Sequence, residues 1–391
     1  MKQILIYLKD GLLSPKGGPL GYNFYLKQQL NKMGVKNIHY IHSNAALTQG
    51  INKKIRSLES GLLKNFLLIF KSVCRKFLTL YGFSHKAEVN LDDYDIVHFH
   101  STVDMYNVKD SLSKYKGKVI LTSHTPTIHS KEMYDLLTPW EKKHMNWFYK
   151  RLIRIDRYAF NRADYILFPC PEAEEPYYNN WQEYSAIKEN KKANYRYLLT
   201  GTAERKAKKS RKEICNEFNI PSDAFIISYA GRHNEIKGYD NLKKIGKRIL
   251  DKYPNAYFLI AGREEPLQGL PDERWIEVGW TNDPHSLIAA SDVFVLPNKE
   301  TYFDLIMLEV LSLGTTIIAS NVGGNRHFAK YKDIGVFLYN SLDEATILID
   351  KIQNFTASEK KTYIARNKKL FEDNFSLSVF ANNYIRLLDS I

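Results

Sequence analysis

FIISYAGRHNEIKG, residues 225–238, decides the fold. Phe225–Ala230 is a short apolar run with almost no polar interruption, as expected of a strand buried on both faces of a parallel sheet. It breaks at Gly231, releases Arg232 and Lys237, and passes through Gly238 into a helical pattern. In open α/β sheets ligands bind outside the carboxyl ends of the strands. A guanidinium fork and a lysine point charge at such an end suit a diphosphate. A solvated charged loop is the plainer alternative.

The same alternation extends in both directions. Tyr257–Ala261, Trp275–Val278, Val293–Leu296, Thr316–Ala319 and Val336–Tyr339 follow as strands, with amphipathic segments between them. Upstream, Gln3–Leu8, Asn37–Ile41, Ile96–His100, Lys118–Ser123 and Tyr165–Pro169 repeat the pattern. The chain of 391 residues is too long for one ordinary core and fits two α/β domains. The boundary falls near 200–210, where the basic run Arg205–Lys212 reads as a solvated linker and helix start, with a phosphate-binding arm as the alternative. Phe375–Ile391 has helical spacing at Phe380, Tyr384, Leu387 and Leu388.

Three further stretches carry chemistry. Gly17 and Gly18 lie between the first strand and a helix with apolar positions Leu26, Leu30 and Met33; they suit either an anion at a helix N-terminus or a simple turn. LPNKETYFDLIMLEVLSLG, residues 296–314, leaves a strand, crosses a polar loop and enters a helix near Asp304. Backbone N–H groups around Phe303, Asp304 and Leu305 can hold a sugar diphosphate, and Glu309 can accept two hydrogen bonds from a ribose diol. Ser320–Asn325 is another Gly-rich turn after a strand.

Composition narrows the partners. A formal net charge of +13 favours anionic ligands, whether nucleotides, phosphorylated substrates or anionic lipids. No zinc-finger or RNA-binding signature supports nucleic acid. Cys74, Cys170 and Cys215 form no paired motif, which argues for a reducing cytosol without a disulfide framework or zinc site. The opening residues have too short an apolar run for a signal peptide, and no stretch reaches a membrane span. Between Leu58 and Leu80, apolar residues including Phe66, Ile69 and Val73 fall at steps of three and four, with cations opposite. That stripe either lies in an anionic membrane interface through Phe66, Ile69 and Phe70 or packs on the N-terminal sheet. Asp93-Tyr94-Asp95 has the spacing of a metal-diphosphate motif but precedes a buried strand and reads as a polar turn; no metal site is expected. Cys170–Glu175 is acidic in a basic chain and reads as a helix start.

Gly231-Arg232 followed by Lys237-Gly238, the acidic stretch ending Leu308-Glu309 and the turn at Gly323-Gly324 together resemble glycosyltransferase family 4, the retaining enzymes of GT-B fold. The likeness covers most of the chain and is strongest from Ile226 to Gly324. It implies an α/β GT-B fold: two Rossmann-like domains with a cleft between them and a C-terminal helix crossing back to the N-terminal domain. The domains would be 1–200 for the acceptor, 201–374 for the nucleotide sugar, and 375–391 for the crossing helix. It further implies a nucleoside-diphosphate sugar donor, a glycan or lipid-linked acceptor, no cofactor, no obligatory metal, and a working position at the inner face of the plasma membrane. Residue by residue, Arg232 and Lys237 neutralise the diphosphate with Gly231, Phe303, Asp304 and Leu305 around it; Glu309 holds the ribose. Gly17-Gly18 resembles the family's N-terminal glycine loop, and Thr122-Ser123-His124 the strand end that brings a His to the donor sugar.

One departure stands out. The family's two glutamates enclose seven residues, whereas Glu300 and Glu309 enclose eight, so strict alignment puts Thr301 at the first position and Asp304 at a usual glycine. Either Glu300 or Thr301 then contacts the sugar. Two rival readings follow: a non-catalytic GT-B partner subunit, or a sugar-nucleotide epimerase.

Overall fold

The computed structural model describes residues 1–8, 13–15, 18–41, 74, 86–125 and 127–391. They form two compact units: 1–168 with Tyr177–Tyr197 and Leu387–Ile391, and Pro169–Pro176 with Leu198–Arg386. The small segment Pro169–Pro176 thus belongs to the second unit, although it follows directly on a strand of the first.

The first unit contains a six-stranded parallel sheet: β1 (Ile4–Tyr7), β2 (Ile38–Tyr40), β3 (Ile96–Phe99), β4 (Lys118–Thr122), β5 (Tyr165–Phe168) and β6 (Tyr195–Tyr197), in the order β2-β1-β3-β4-β5-β6. The central strands are buried on both faces. The order reverses between β1 and β3, which pair in register from Ile4 with Ile96 to Tyr7 with Phe99. The edge strand β6 escapes a sequence reading because it is a Tyr-Arg-Tyr triplet with only Tyr195 buried. Helix Gly18–Lys32 buries Tyr22, Leu26 and Leu30. Met33 departs from expectation: the helix ends at Lys32, so Met33 enters the turn before Gly34 (φ +73°) and is exposed.

The second unit repeats the design with β7 (Phe225–Ala230), β8 (Ala256–Ala261), β9 (Trp275–Gly279), β10 (Val293–Leu296), β11 (Thr316–Ser320) and β12 (Val336–Tyr339), ordered β12-β11-β10-β7-β8-β9. Helix Tyr239–Lys252 lays Leu242, Ile245 and Ile249 on the sheet at helical spacing, where they join Ile227, Phe258 and Trp275 in one core. Helix Leu377–Ser390 buries Phe380, Tyr384 and Leu388; its last residues, from Leu387, count with the first unit. No helix among the described residues is long and apolar enough to cross a membrane. The stripe between Leu58 and Leu80, with Phe66, Ile69 and Phe70, lies outside the described residues, as does Gly17.

Candidate donor site at the strand reversal of the second sheet

In the second sheet the strand order reverses between β7 and β10, so the crevice rule directs a ligand to their carboxyl ends. Arg232 and Lys237 leave β7 there, and the segment Pro297–Asp304 leaves β10. The two loops are pressed together. Gly238 has φ +68°, and a Cβ on it would fall 1.7 Å from the Pro297 carbonyl oxygen, so no other residue fits.

The ammonium of Lys237 donates to both Asp304 oxygens at 2.7 and 2.8 Å. Asn298 Nδ2 donates to the same carboxylate at 2.5 Å. Asp304 is the N-cap of helix Leu305–Leu313, yet its side chain makes no capping hydrogen bond. The helix N-terminus, positive by its dipole, therefore lacks the usual side-chain acceptor, while Lys237 already holds a carboxylate. Arg232 is exposed, and its guanidinium makes no ion pair with a described residue.

Beside this crevice, at the ends of β7, β8 and β9, lies a cavity of about 590 Å³ lined by Ala230, Gly231, Arg232, Arg263, Trp280 and Thr281, among others. The Trp280 ring is 66% exposed, with the Arg263 guanidinium 5.7 Å from its centroid. An exposed indole in a concave site is a stacking surface for a flat ligand. Under it His233 is buried and stacked on Tyr239 at 3.9 Å, while Glu277 accepts from Tyr239 and from Trp275 Nε1. Burial lowers His233 to about 4, which leaves it neutral near pH 7, and burial raises Glu277 above the ordinary carboxylate value.

Glu309 sits in helix Leu305–Leu313 with both oxygens engaged: Oε1 by Arg205 Nη2 at 2.6 Å, Oε2 by His285 Nε2 at 3.0 Å. Burial pushes its carboxyl up, but the His285 hydrogen bond and the Arg205 charge outweigh burial and hold it below the ordinary range. A carboxylate has about four acceptor sites, so two remain for a diol. Sequence reading missed both partners. Arg205 lay in the run taken for a solvated linker; Arg211 of that run is likewise structural, bound to the Ala224 and Ala290 carbonyls and to Asp292. His285 follows a helix-start signal at Asp283-Pro284 that said nothing of chemistry.

The two rival sugar positions differ sharply. Thr301 is 1% exposed, and its Oγ1 is buried without a hydrogen-bond partner. Glu300 is half-buried and makes no ion pair or hydrogen bond with a described residue. Thr301 and Tyr302 lie against the Gly-rich turn: a Cβ on Gly323 or Gly324 would meet their carbonyl oxygens at 2.0 and 2.1 Å. The acidic stretch after β5 does more than start a helix. Glu175 accepts from Gly323 N (3.1 Å) and pairs with Arg326 (2.6 Å), and Glu172 pairs with Lys330 (2.8 Å). Cys170, Glu172 and His327 come within 4.8 Å of one another, a grouping that spacing could not reveal, but the cation seated on Glu172 is Lys330.

In the first unit, the reversal between β1 and β3 gathers three histidines. His98 Nε2 meets Thr122 Oγ1 at 2.8 Å, and His100 Nδ1 meets His124 Nε2 at 2.8 Å. Tyr22 packs on His100 and His124 at 5.4 and 4.8 Å, and Gly18 (φ +64°) opens its helix. Burial, reinforced for His98 and His100 by neighbouring imidazoles, lowers His98 and His124 to about 3 and His100 well below its ordinary value. His124 therefore works near neutral pH as an imidazole, able to donate or accept one hydrogen bond but carrying no charge.

Residues 224–357 match the Glycosyl transferases group 1 family, so the second unit carries a domain of that superfamily. A Klebsiella pneumoniae protein described as an uncharacterized 41.2 kDa protein in the cps region is 22% identical over 76% of this chain and 79% of its own. The Escherichia coli O-antigen biosynthesis glycosyltransferase WclY is 24% identical over 62% of each, so the chain spans less than two thirds of that relative. The crystal structure of Anabaena HepE in complex with UDP-glucose superposes with a TM-score of 0.61 at 13% identity, covering 100% of both chains. The fold is GT-B: two Rossmann-like α/β units.

Proposed function

We propose that this chain is a retaining glycosyltransferase of family 4 type that takes a sugar from a nucleoside diphosphate to a glycan or lipid-linked acceptor at the cytoplasmic membrane face, in surface polysaccharide synthesis. One observation carries the reading. At the strand reversal, Arg232, Lys237 and an uncapped helix N-terminus converge beside a 590 Å³ cavity with an exposed tryptophan, and Glu309 stands one turn further along that helix. The base stacks in the cavity, Glu309 accepts the ribose hydroxyls, and the two cations take the charge that builds on the leaving diphosphate. The bond from the anomeric carbon to the diphosphate breaks as the acceptor oxygen bonds to the same face, and the acceptor proton passes to the departing phosphate oxygen. His124, as a neutral imidazole, orients a sugar hydroxyl. The relatives' association with O-antigen and capsular regions supports the surface-glycan setting.

The test is a thermal-shift screen of nucleoside diphosphates and their sugars, followed by product analysis. A ligand that binds the native state raises its apparent stability. A stabilising nucleotide sugar with transfer to an added acceptor is the expected result; turnover without acceptor would indicate an epimerase. Failure of every nucleotide to bind would favour the non-catalytic partner subunit, a reading to which the Lys237–Asp304 pair and Thr301 in a glutamate position lend some weight.

The acidic positions separate by ligand. Glu309→Ala should weaken the nucleoside diphosphate and its sugar alike, by at least tenfold, since the ribose is common to both. Glu300→Ala should weaken only the full sugar nucleotide, with Thr301→Ala as the competing variant. Titration calorimetry with both ligands decides: equal loss for both in the Glu300 variant rejects its sugar contact.

A further inference from the structure

Large apolar side chains stand exposed at few described positions, and three of them fall within one short stretch of the first unit: Leu136 (76%), Trp140 (68%) and Trp147 (47%). The stretch runs through helix Pro139–His144 into helix Asn146–Arg162. Its inner side is fixed by packing: Leu137, Phe148, Leu152 and Ile155 form a buried cluster with Met133 and Tyr134 around it. That packing sets the outward face. Trp147, Lys150, Arg151 and Arg154 fall at steps of three and four along the second helix, and all four are exposed. On the helix just before it Trp140, Lys143 and His144 are also exposed, with His144 stacked on Trp140 at 4.6 Å. No exposed residue from 136 to 154 is acidic; Glu141 is half-buried and turned back into its own capping box with Thr138.

Two exposed indoles in a purely cationic field are costly on a surface facing only water. Lysine is depleted from the cores of protein–protein interfaces, which makes a protein partner a poor match for this mixture. A bilayer–water interface matches it: indole rings settle at headgroup depth while lysine and arginine reach anionic lipid. The chain's formal charge of +13 has the same sign. We infer that the face bearing Trp140, Trp147, Lys150 and Arg154 docks the first unit on an anionic lipid bilayer. The inference rests on the membrane-face part of the proposed function, but the face involves no donor-site residue, so loss of vesicle binding and loss of nucleotide binding are told apart.

The experiment is flotation of the full chain with vesicles of phosphatidylcholine, alone or mixed equally with phosphatidylglycerol. The expected result is at least tenfold stronger partitioning to the anionic vesicles, weakened by salt. Trp140→Ser/Trp147→Ser should lower it at least tenfold, and Lys150→Ser/Arg154→Ser should lower it while flattening the salt dependence. These side chains are exposed, so an unchanged melting temperature serves as the folding control. The difference in tryptophan emission between wild type and the double variant should shift to the blue on vesicles and be quenched by brominated acyl chains. Binding by the double tryptophan variant as tight as wild type would overturn the inference and move the contact elsewhere on the chain. Indifference of the wild type to anionic lipid, or a dimer that dissolves in the tryptophan variant, would overturn it as well.

Discussion

Lys237→Ala should lower turnover by about 10²–10³-fold with the fold intact, the usual loss when one pre-aimed donor to a developing oxyanion is removed. Arg232→Ala should fall in the same range, since Arg232 is exposed and lines the cavity at the end of β7. The lysine variant carries a structural cost that must be separated from the catalytic one. Asp304 would keep only Asn298 as a side-chain partner. Lys237 and Asp304 are 24% and 18% exposed, so the stability lost should be on the order of 1–2 kcal/mol, below that of a wholly buried pair. Lys237→Ala/Asp304→Asn should therefore recover the stability and not the turnover. Asp304→Asn alone makes the complementary case. In the proposed donor complex the Asp304 carboxylate competes with the phosphate for Lys237, so removing its charge while keeping its shape should tighten nucleoside diphosphate binding about tenfold, roughly 1.4 kcal/mol. Wild-type turnover in a folded Lys237→Ala protein would sink the phosphate assignment; unchanged affinity in Asp304→Asn would show that the carboxylate does not compete.

Acid should weaken the first unit well before its carboxylates titrate. His98 and His124 are lowered to about 3 by burial in the folded chain, against about 6.5 when unfolded. Folded imidazoles stay neutral while unfolded ones take protons, so the unfolded state binds more protons between those values and stability falls as pH falls. Their contribution is complete above pH 6.5 and lost progressively below it. From pH 7 to pH 5 the loss is on the order of 2 kcal/mol per histidine. His100 acts in the same direction, but the three touch one another and their losses do not simply add. In the second unit His233 and His327, also lowered by burial, act likewise. Carboxylates held low, such as Glu183 beside Arg157, contribute only at more acidic pH, while Asp156 and Glu277, raised by burial, act in the opposite direction to the histidines. Urea midpoints at pH 7 and 5 measure the effect. A midpoint that does not move, or imidazole proton resonances that titrate near 6.5 in the native state, would contradict it.

Of the twelve strands among the described residues eleven were legible, the central ones because parallel strands buried on both faces are written as uninterrupted apolar runs. The twelfth, β6, is three residues at an edge and buries one side chain, too little pattern to read. The candidate donor site was legible where its residues are close in sequence, as in the run from Gly231 to Gly238. Its long-range connections were not. Lys237 and Asp304 are 67 positions apart, and Arg205 and Glu309 are 104 apart. Each residue reads locally as a solvated charge, and only the strand order shows which charges meet. The acidic stretch after β5 does start helical structure, as its charges suggest, but its partners lie in a turn far downstream and could not be read.

That stretch has a consequence for biosynthesis. Glu175 and Gly323 are 148 positions apart, so at about 5–20 residues per second the ribosome finishes Glu175 roughly 7–30 seconds before its partner exists. The first sheet can close in that interval, but the tethers on Gly323, Arg326 and Lys330 form only once those residues have been made. A fragment starting after residue 200 would emerge without them, leaving the Gly-rich turn with its amide unsatisfied and two cations unpaired. The sequence-matched block 224–357 is accordingly no self-sufficient module: transplanted into another protein, it would need its eight-residue companion, Pro169–Pro176, supplied from upstream.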